Sequence, residues 1–147
     1  MIVVIGAGLI GLGIAYELAR RGADVRVIDA REPGGAASWA GAGMLAPYTE
    51  SIAGPYEAFC ARSLALYPAF VEELRERGGI DAHLRLDGIL EVAYDRADVA
   101  RLRGRVEALA ARGVPARYLD RDATLRLEPA LGGDLVGAAL CEAEGCV

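Results

Sequence analysis

The run Ile2-Val3-Val4-Ile5-Gly6-Ala7-Gly8-Leu9-Ile10-Gly11 constrains this chain more than any other stretch. Four consecutive β-branched residues suit a parallel strand buried on both faces. The glycines follow at G-x-G-x-x-G spacing. Gly6 permits a tight turn out of the strand, Gly8 leaves bare backbone where a pyrophosphate can approach, and Gly11 lets the next helix pack close to the sheet. Helix N-terminal N–H groups face such an anion, and the macrodipole adds roughly 0.3–1 kcal/mol. The context agrees. Leu9, Leu12, Ile14, Ala15 and Leu18 set a buried helix face, Gly22 ends the helix after Arg20 and Arg21, and Val25, Val27 and Ile28 make a second strand. Asp29 closes that strand about 20 positions beyond the glycines, where a carboxylate accepts hydrogen bonds from an adenosine ribose. Strand, turn, helix, strand and acid together read as an α/β fold built on a Rossmann-like βαβ unit that binds a dinucleotide.

At 147 residues the chain can bury one real core, so one domain, or one plus part of another, is expected. The formal charge of −5 and the scattered arginines argue against nucleic acid as a partner. Charges or glycines interrupt every apolar run before the ~20 residues of a membrane span. The N-terminal apolar run is the first strand rather than a signal peptide. Cys60, Cys141 and Cys146 show no C-x-x-C spacing, and His83 is the one histidine. No metal site is expected, and buried thiols in a reducing cytoplasm are.

Beyond the first unit, residues 30–50 form a loop rich in Gly and Ala. Gly34, Gly35 and the small residues through Gly43 let backbone approach a ligand, while Trp39, Met44 and Leu45 are expected to anchor the loop as ordered structure. Pro55 suits the first turn of a helix running to about Arg77, with Phe59, Leu66, Tyr67, Phe70, Val71 and Leu74 as its apolar stripe and a kink at Pro68. Asp87-Gly88 between the alternating runs 84–86 and 89–94 predicts a β-hairpin. Asp95 or Asp98 can cap a helix buried through Val99, Leu102, Val106 and Leu109. Residues 117–119 predict a short strand, Asp120 caps a short helix that Pro129 ends, and residues 135–140 predict a last strand.

These residues also carry a likeness. VVIGAGLIGLGIAYELARRGADVRVID resembles the opening of flavoproteins of the D-amino-acid oxidase family. SWAGAGMLAP resembles the flavin-loop segment of that family's glycine oxidase branch, and ARSLALYPAFVEEL, GIDAHLRLDGILEVA, LRLEPAL and DLVGAALCEAEGCV extend the match. The glycine motif is shared by many flavoproteins; the AGAGMLAP loop combined with the DGILEVA segment is far more specific.

The resemblance implies non-covalent FAD and a small amine or amino-acid substrate oxidised at the flavin, with dioxygen as acceptor, hydrogen peroxide as product and a place in thiamine biosynthesis. Carried over by position, Gly6, Ala7, Gly8, Leu9, Ile10 and Gly11 surround the pyrophosphate. Asp29 holds the ribose, and Ala30, Ala37 and Ser38 continue the dinucleotide contacts. Ala42, Gly43 and Met44 line the isoalloxazine. It also implies an FAD-binding βαβ unit and flavin loop over 1–50, a long helix of the FAD domain over 51–80, part of an inserted α+β substrate domain over 81–140, and a return to the FAD domain over 141–147. Length is the departure. Family members continue well past Val147, into the segment that carries the substrate-carboxylate arginine and the aromatic residues over the flavin. The chain is therefore expected to correspond to an N-terminal part, working as a homo-oligomer or with a C-terminal half, and no catalytic residue is assigned within it. Three alternatives stand beside this reading: a sibling oxidase or dehydrogenase that acts on sarcosine, proline or a D-amino acid or hands electrons to an acceptor other than dioxygen, an NAD-binding dehydrogenase module, since Asp29 suits either dinucleotide, and a non-catalytic dinucleotide-binding remnant.

Overall fold

The computed structural model describes residues 1–50 and 53–147 and divides them into two compact units, Met1–Ala42 and Gly43–Val147. The expected division at 50/51 abuts residues 51 and 52, which lie outside the described residues.

The first unit is the βαβ element the opening sequence predicts. Strand β1 (Ile2–Ile5) leads through the glycine turn into helix α1 (Leu9–Arg20), and strand β2 (Val25–Ile28) returns parallel to β1, with Ile2 opposite Val25 and Ile5 opposite Ile28. Gly22, at φ +82°, supplies the left-handed residue that ends the helix. Burial departs from expectation. Ile5 is 88% exposed, Leu9 64% and Ile14 50%, while Ala15 is buried. Two strands and one helix cover too little of each other to bury both faces of β1 or the whole apolar side of α1.

The second unit is α+β. Strands β3 (Met44–Leu45) and β7 (Gly145–Cys146) form a short antiparallel pair. Helix α2 (Pro55–Gly78) carries Pro at its start, contains Pro68 without ending there, and closes on Gly79 at φ +69°. Its expected apolar stripe is only partly covered: Val71 is buried, but Phe59 and Leu66 are exposed. Strand β4 (Ile89–Ala93), helix α3 (Arg96–Ala110), strand β5 (Ala116–Asp120), helix α4 (Arg121–Leu127) and strand β6 (Gly137–Cys141) follow. β6 lies between β4 and β5 and is antiparallel to both, so β4-α3-β5 is a crossover whose two strands are split by the last one. All five residues of β6 are buried. α3 lays Leu102 against Ala93 and Ala139, with Val99, Val106 and Tyr118 around them, and Leu109 against Val114 and Cys141. The caps are as read from sequence: Asp95 accepts from the Asp98 N–H and Asp120 from the Ala123 N–H, each at 2.8 Å.

The Asp87-Gly88 hairpin does not form. Gly88 takes φ +99°, as a turn glycine would, but its N–H donates to the Glu144 carbonyl at 3.0 Å. Arg85 pairs with Cys146 through both backbone hydrogen bonds, and β4 takes β6 as its partner. Alternation specifies which residues share a face, and the most buried available strand wins the pairing.

Candidate dinucleotide site

In the first unit, hydrogen bonds join the glycine turn, the end of β2 and the following loop, beginning with the Gly6 N–H, which donates to the Ile28 carbonyl at 2.8 Å. The Ala7 N–H donates to Asp29 Oδ2 at 2.7 Å, the Leu9 N–H to Ser38 Oγ at 2.9 Å, and the Gly34 N–H to the Ala7 carbonyl at 2.8 Å. Asp29 Oδ1 also accepts the Arg31 N–H at 2.8 Å. These backbone donors, Ala7 first, hold the Asp29 carboxyl below the usual carboxylate range. The charge is therefore present at neutral pH.

The glycines are needed for different reasons. Gly6 stands at φ +109°. A Cβ on Gly11 would run into the Gly6 carbonyl, so the helix crosses the turn at backbone contact. A Cβ on Gly8 would lie 3.1 Å from Ser38 Oγ, and Gly8 caps α1 with no side chain at all. The residues present fit a dinucleotide. The N-cap Gly8 offers no side chain to the first turn, and Ser38 Oγ, which takes the Leu9 N–H, keeps its own proton to donate to an anion. Each Asp29 oxygen accepts one backbone N–H, and a carboxylate offers about four acceptor positions, which leaves capacity for ribose hydroxyls.

Among the expected site residues, Gly6, Ala7, Gly8, Leu9, Gly11, Asp29 and Ser38 are thus brought together. Ile10, Ala30, Ala37 and Ala42 are exposed positions of the same unit, and Gly43 and Met44 belong to the second. Trp39 was expected to anchor the loop, but it is 87% exposed. The order of residues 34–41 comes instead from successive turn hydrogen bonds and the Gly34–Ala7 contact.

In the second unit Gly43 opens β3 at φ +70°, and a Cβ there would collide with the Val147 carbonyl. The Val147 N–H donates to the Gly43 carbonyl at 2.9 Å. Met44 is half exposed beside a hollow of about 310 Å³ that Leu45, Pro47, Tyr56, Phe59 and Tyr67 help to line. Behind this segment lies a residue that no local pattern marked. Glu144 is fully buried and accepts the Tyr48 and Thr49 N–H groups and the Thr49 hydroxyl. Cys141, buried in the same region, has its thiol pushed up to about 11 by burial first and by Glu144 second, which makes it a packing group rather than a nucleophile. Among the described residues no cluster of three or more His, Cys, Asp or Glu could hold a metal ion, and no helix is long and apolar enough to cross a membrane.

A parallel βαβ unit with this turn, helix terminus and carboxylate defines a dinucleotide-binding domain. The chain belongs to the family described as DAO, FAD dependent oxidoreductase, whose model matches residues 1–147. It is 34% identical over 140 residues to glycine oxidase of Geobacillus kaustophilus, covering 95% of this chain and 37% of that protein. It is 39% identical to the bifunctional protein ThiO/ThiG of Nostoc sp., covering 92% of this chain and 20% of that one. Among solved structures, the glycine oxidase of Geobacillus kaustophilus superposes with a TM-score of 0.93 at 35% identity, over 99% of this chain and 40% of that one. Iminodiacetate oxidase from Chelativorans sp. superposes with a TM-score of 0.79 at 35% identity, over 100% and 40%. The chain thus spans well under half the length of these relatives.

Proposed function

We propose that this chain binds FAD non-covalently and serves an oxidase of the glycine oxidase type acting on glycine or another small amine. The observation that carries the reading is the hydrogen-bonded turn in which Ala7, Asp29, Leu9 and Ser38 surround a helix N-terminus whose N-cap, Gly8, has no side chain. The Leu9 to Gly11 backbone and the Ser38 hydroxyl receive the pyrophosphate, with Gly6, Ala7 and Gly8 giving it room. Asp29 takes the ribose, with Ala30 and Ala37 beside the dinucleotide. Ala42, Gly43 and Met44 belong against the flavin ring. When bound, FAD supplies the two-electron oxidation of the amine, with dioxygen as the acceptor. The chain's own residues bind and orient the cofactor; no catalytic side chain is assigned among them.

The α3-covered sheet of β4, β6 and β5 is assigned to the substrate domain, and residues 1–50, α2 and residues 141–147 to the FAD domain. Three free cysteines favour a reducing cytoplasm. A role in thiamine biosynthesis and assembly as a homo-oligomer or with a C-terminal half complete the proposal. Titration of the chain with FAD and with NAD, followed by the visible spectrum and chromatography of released cofactor, tests it. FAD is expected to bind more tightly; tighter binding of NAD overturns the reading.

A further inference from the structure

We infer that Glu144 is a positioning residue for the flavin loop, an inference that rests on the assignment of Gly43 and Met44 to the flavin. Glu144 is one of few buried charged residues of the described chain, at 0% exposure, and its carboxylate points at backbone. One oxygen accepts the Tyr48 N–H at 2.6 Å and the Thr49 N–H at 2.8 Å; the other accepts the Thr49 hydroxyl. A buried carboxylate without such partners would be strongly disfavoured, so these contacts hold the loop as firmly as they hold the acid.

The placement gives the contact its consequence. Residues 144–147 grip the loop at both ends. β7 pairs with Met44 and Leu45, and the Val147 N–H takes the Gly43 carbonyl, while Glu144 takes positions 48 and 49. Met44 and Leu45 thus lie within one hold, and only Ala46 and Pro47 bridge it to the other, so the whole run from Gly43 to Thr49 is pinned to one four-residue piece. A third hold comes from α3: Arg105 Nη1 donates to the Thr49 carbonyl at 3.2 Å and is itself ion-paired with Glu91. All three polar groups of Thr49 are thus occupied. Elements that fix a ligand-facing segment through its backbone set the pose of that ligand without touching it.

The test uses the full chain and four variants, Glu144→Ala, Glu144→Gln, Thr49→Val and Leu102→Ala, each shown to be folded by circular dichroism. Leu102→Ala loosens the same unit's core without touching the loop. Readouts are the FAD dissociation constant, the visible spectrum of bound FAD, and hydrogen exchange at the Tyr48 and Thr49 amides. Glu144→Ala is expected to weaken FAD about tenfold, shift the bound spectrum and deprotect both amides. Glu144→Gln, whose oxygen can still take both N–H groups, is expected to restore most of each. Thr49→Val is expected to weaken FAD two- to threefold, the loss of about one net hydrogen bond, and it carries the test if Glu144→Ala does not fold. Leu102→Ala is expected to keep the parent's spectrum. A parent that binds no FAD overturns the functional reading and this role with it. A parent that binds FAD, with Glu144→Ala or Thr49→Val binding it at unchanged affinity and spectrum, overturns the positioning role alone.

Discussion

Gly43 shows how a single position can be held by two independent constraints. Its φ of +70° is left-handed, and the Val147 carbonyl occupies the space a Cβ would need. Gly43→Ala is therefore expected to destabilise the second unit by roughly 1–3 kcal/mol, read by denaturant melts, and to separate β3 from β7. Asp29 is held by charge rather than by space. Its carboxyl lies below the usual range because the ionised form accepts two backbone N–H groups. A lowered folded-state pKa means that the stabilisation is present above the ordinary carboxylate value of about 3.9. It is lost as pH falls through the lowered one. Asp29→Asn keeps one acceptor oxygen and cannot take both donors, so it should lower thermal stability at pH 7 and weaken FAD severalfold. The stability gap between parent and variant should close as pH falls below about 4. A gap that stays constant with pH would show that the charge plays no part.

At the scale of elements, helices α3 and α4 are started by side chains rather than by propensity alone. Asp95 and Asp120 each accept the N–H three residues on, satisfying one otherwise orphaned donor. Asp95→Ala is expected to cost about 1 kcal/mol and to raise hydrogen exchange in the first turn of α3 while leaving α4 unchanged. The burial of α3 contributes more. Leu102 has no exposed surface and packs on Ala93 and Ala139, so Leu102→Ala should cost about 3 kcal/mol by leaving a cavity over the sheet. Denaturant melts of the two variants should separate these costs, and equal losses would place the stability of α3 in its cap. α1 has neither device. Its N-cap is Gly8, its Leu9 N–H is met by the distant Ser38 hydroxyl rather than by a neighbouring cap residue, and much of its apolar side is open.

For the molecule as a whole, exposed apolar surface sets the behaviour in solution. Ile2, Val3, Ile5, Leu9, Ile10 and Ile14 all lie more than 40% exposed on the first unit. Such a surface is a site for association, so the isolated chain is expected to show concentration-dependent light scattering. FAD binding should stabilise the folded state through mass action by about 2.7 kcal/mol at a concentration one hundred times its dissociation constant, and so raise the melting temperature. NAD at the same concentration should raise it less. A melting temperature indifferent to FAD would contradict binding to the folded chain.

The sequence alone determined what depends on near neighbours. The glycine turn, α1, the acid at position 29 and the Asp95 and Asp120 caps were all legible, because φ freedom and capping act within a few residues. The family likeness, too, resided in contiguous runs such as AGAGMLAP. Tertiary structure decided the rest. Position 144 reads as an ordinary acid in CEAEGCV, and its partners stand 95 and 96 residues away. Ser38 reaches Leu9 across 29 residues. Residues 84–86 carry a hairpin's alternation, yet Arg85 pairs with Cys146 and β4 with β6. An alternating pattern states that one face is buried and leaves the partner open. That choice falls to whichever distant strand buries the most surface and satisfies the most backbone donors, a sum taken over the whole folded unit.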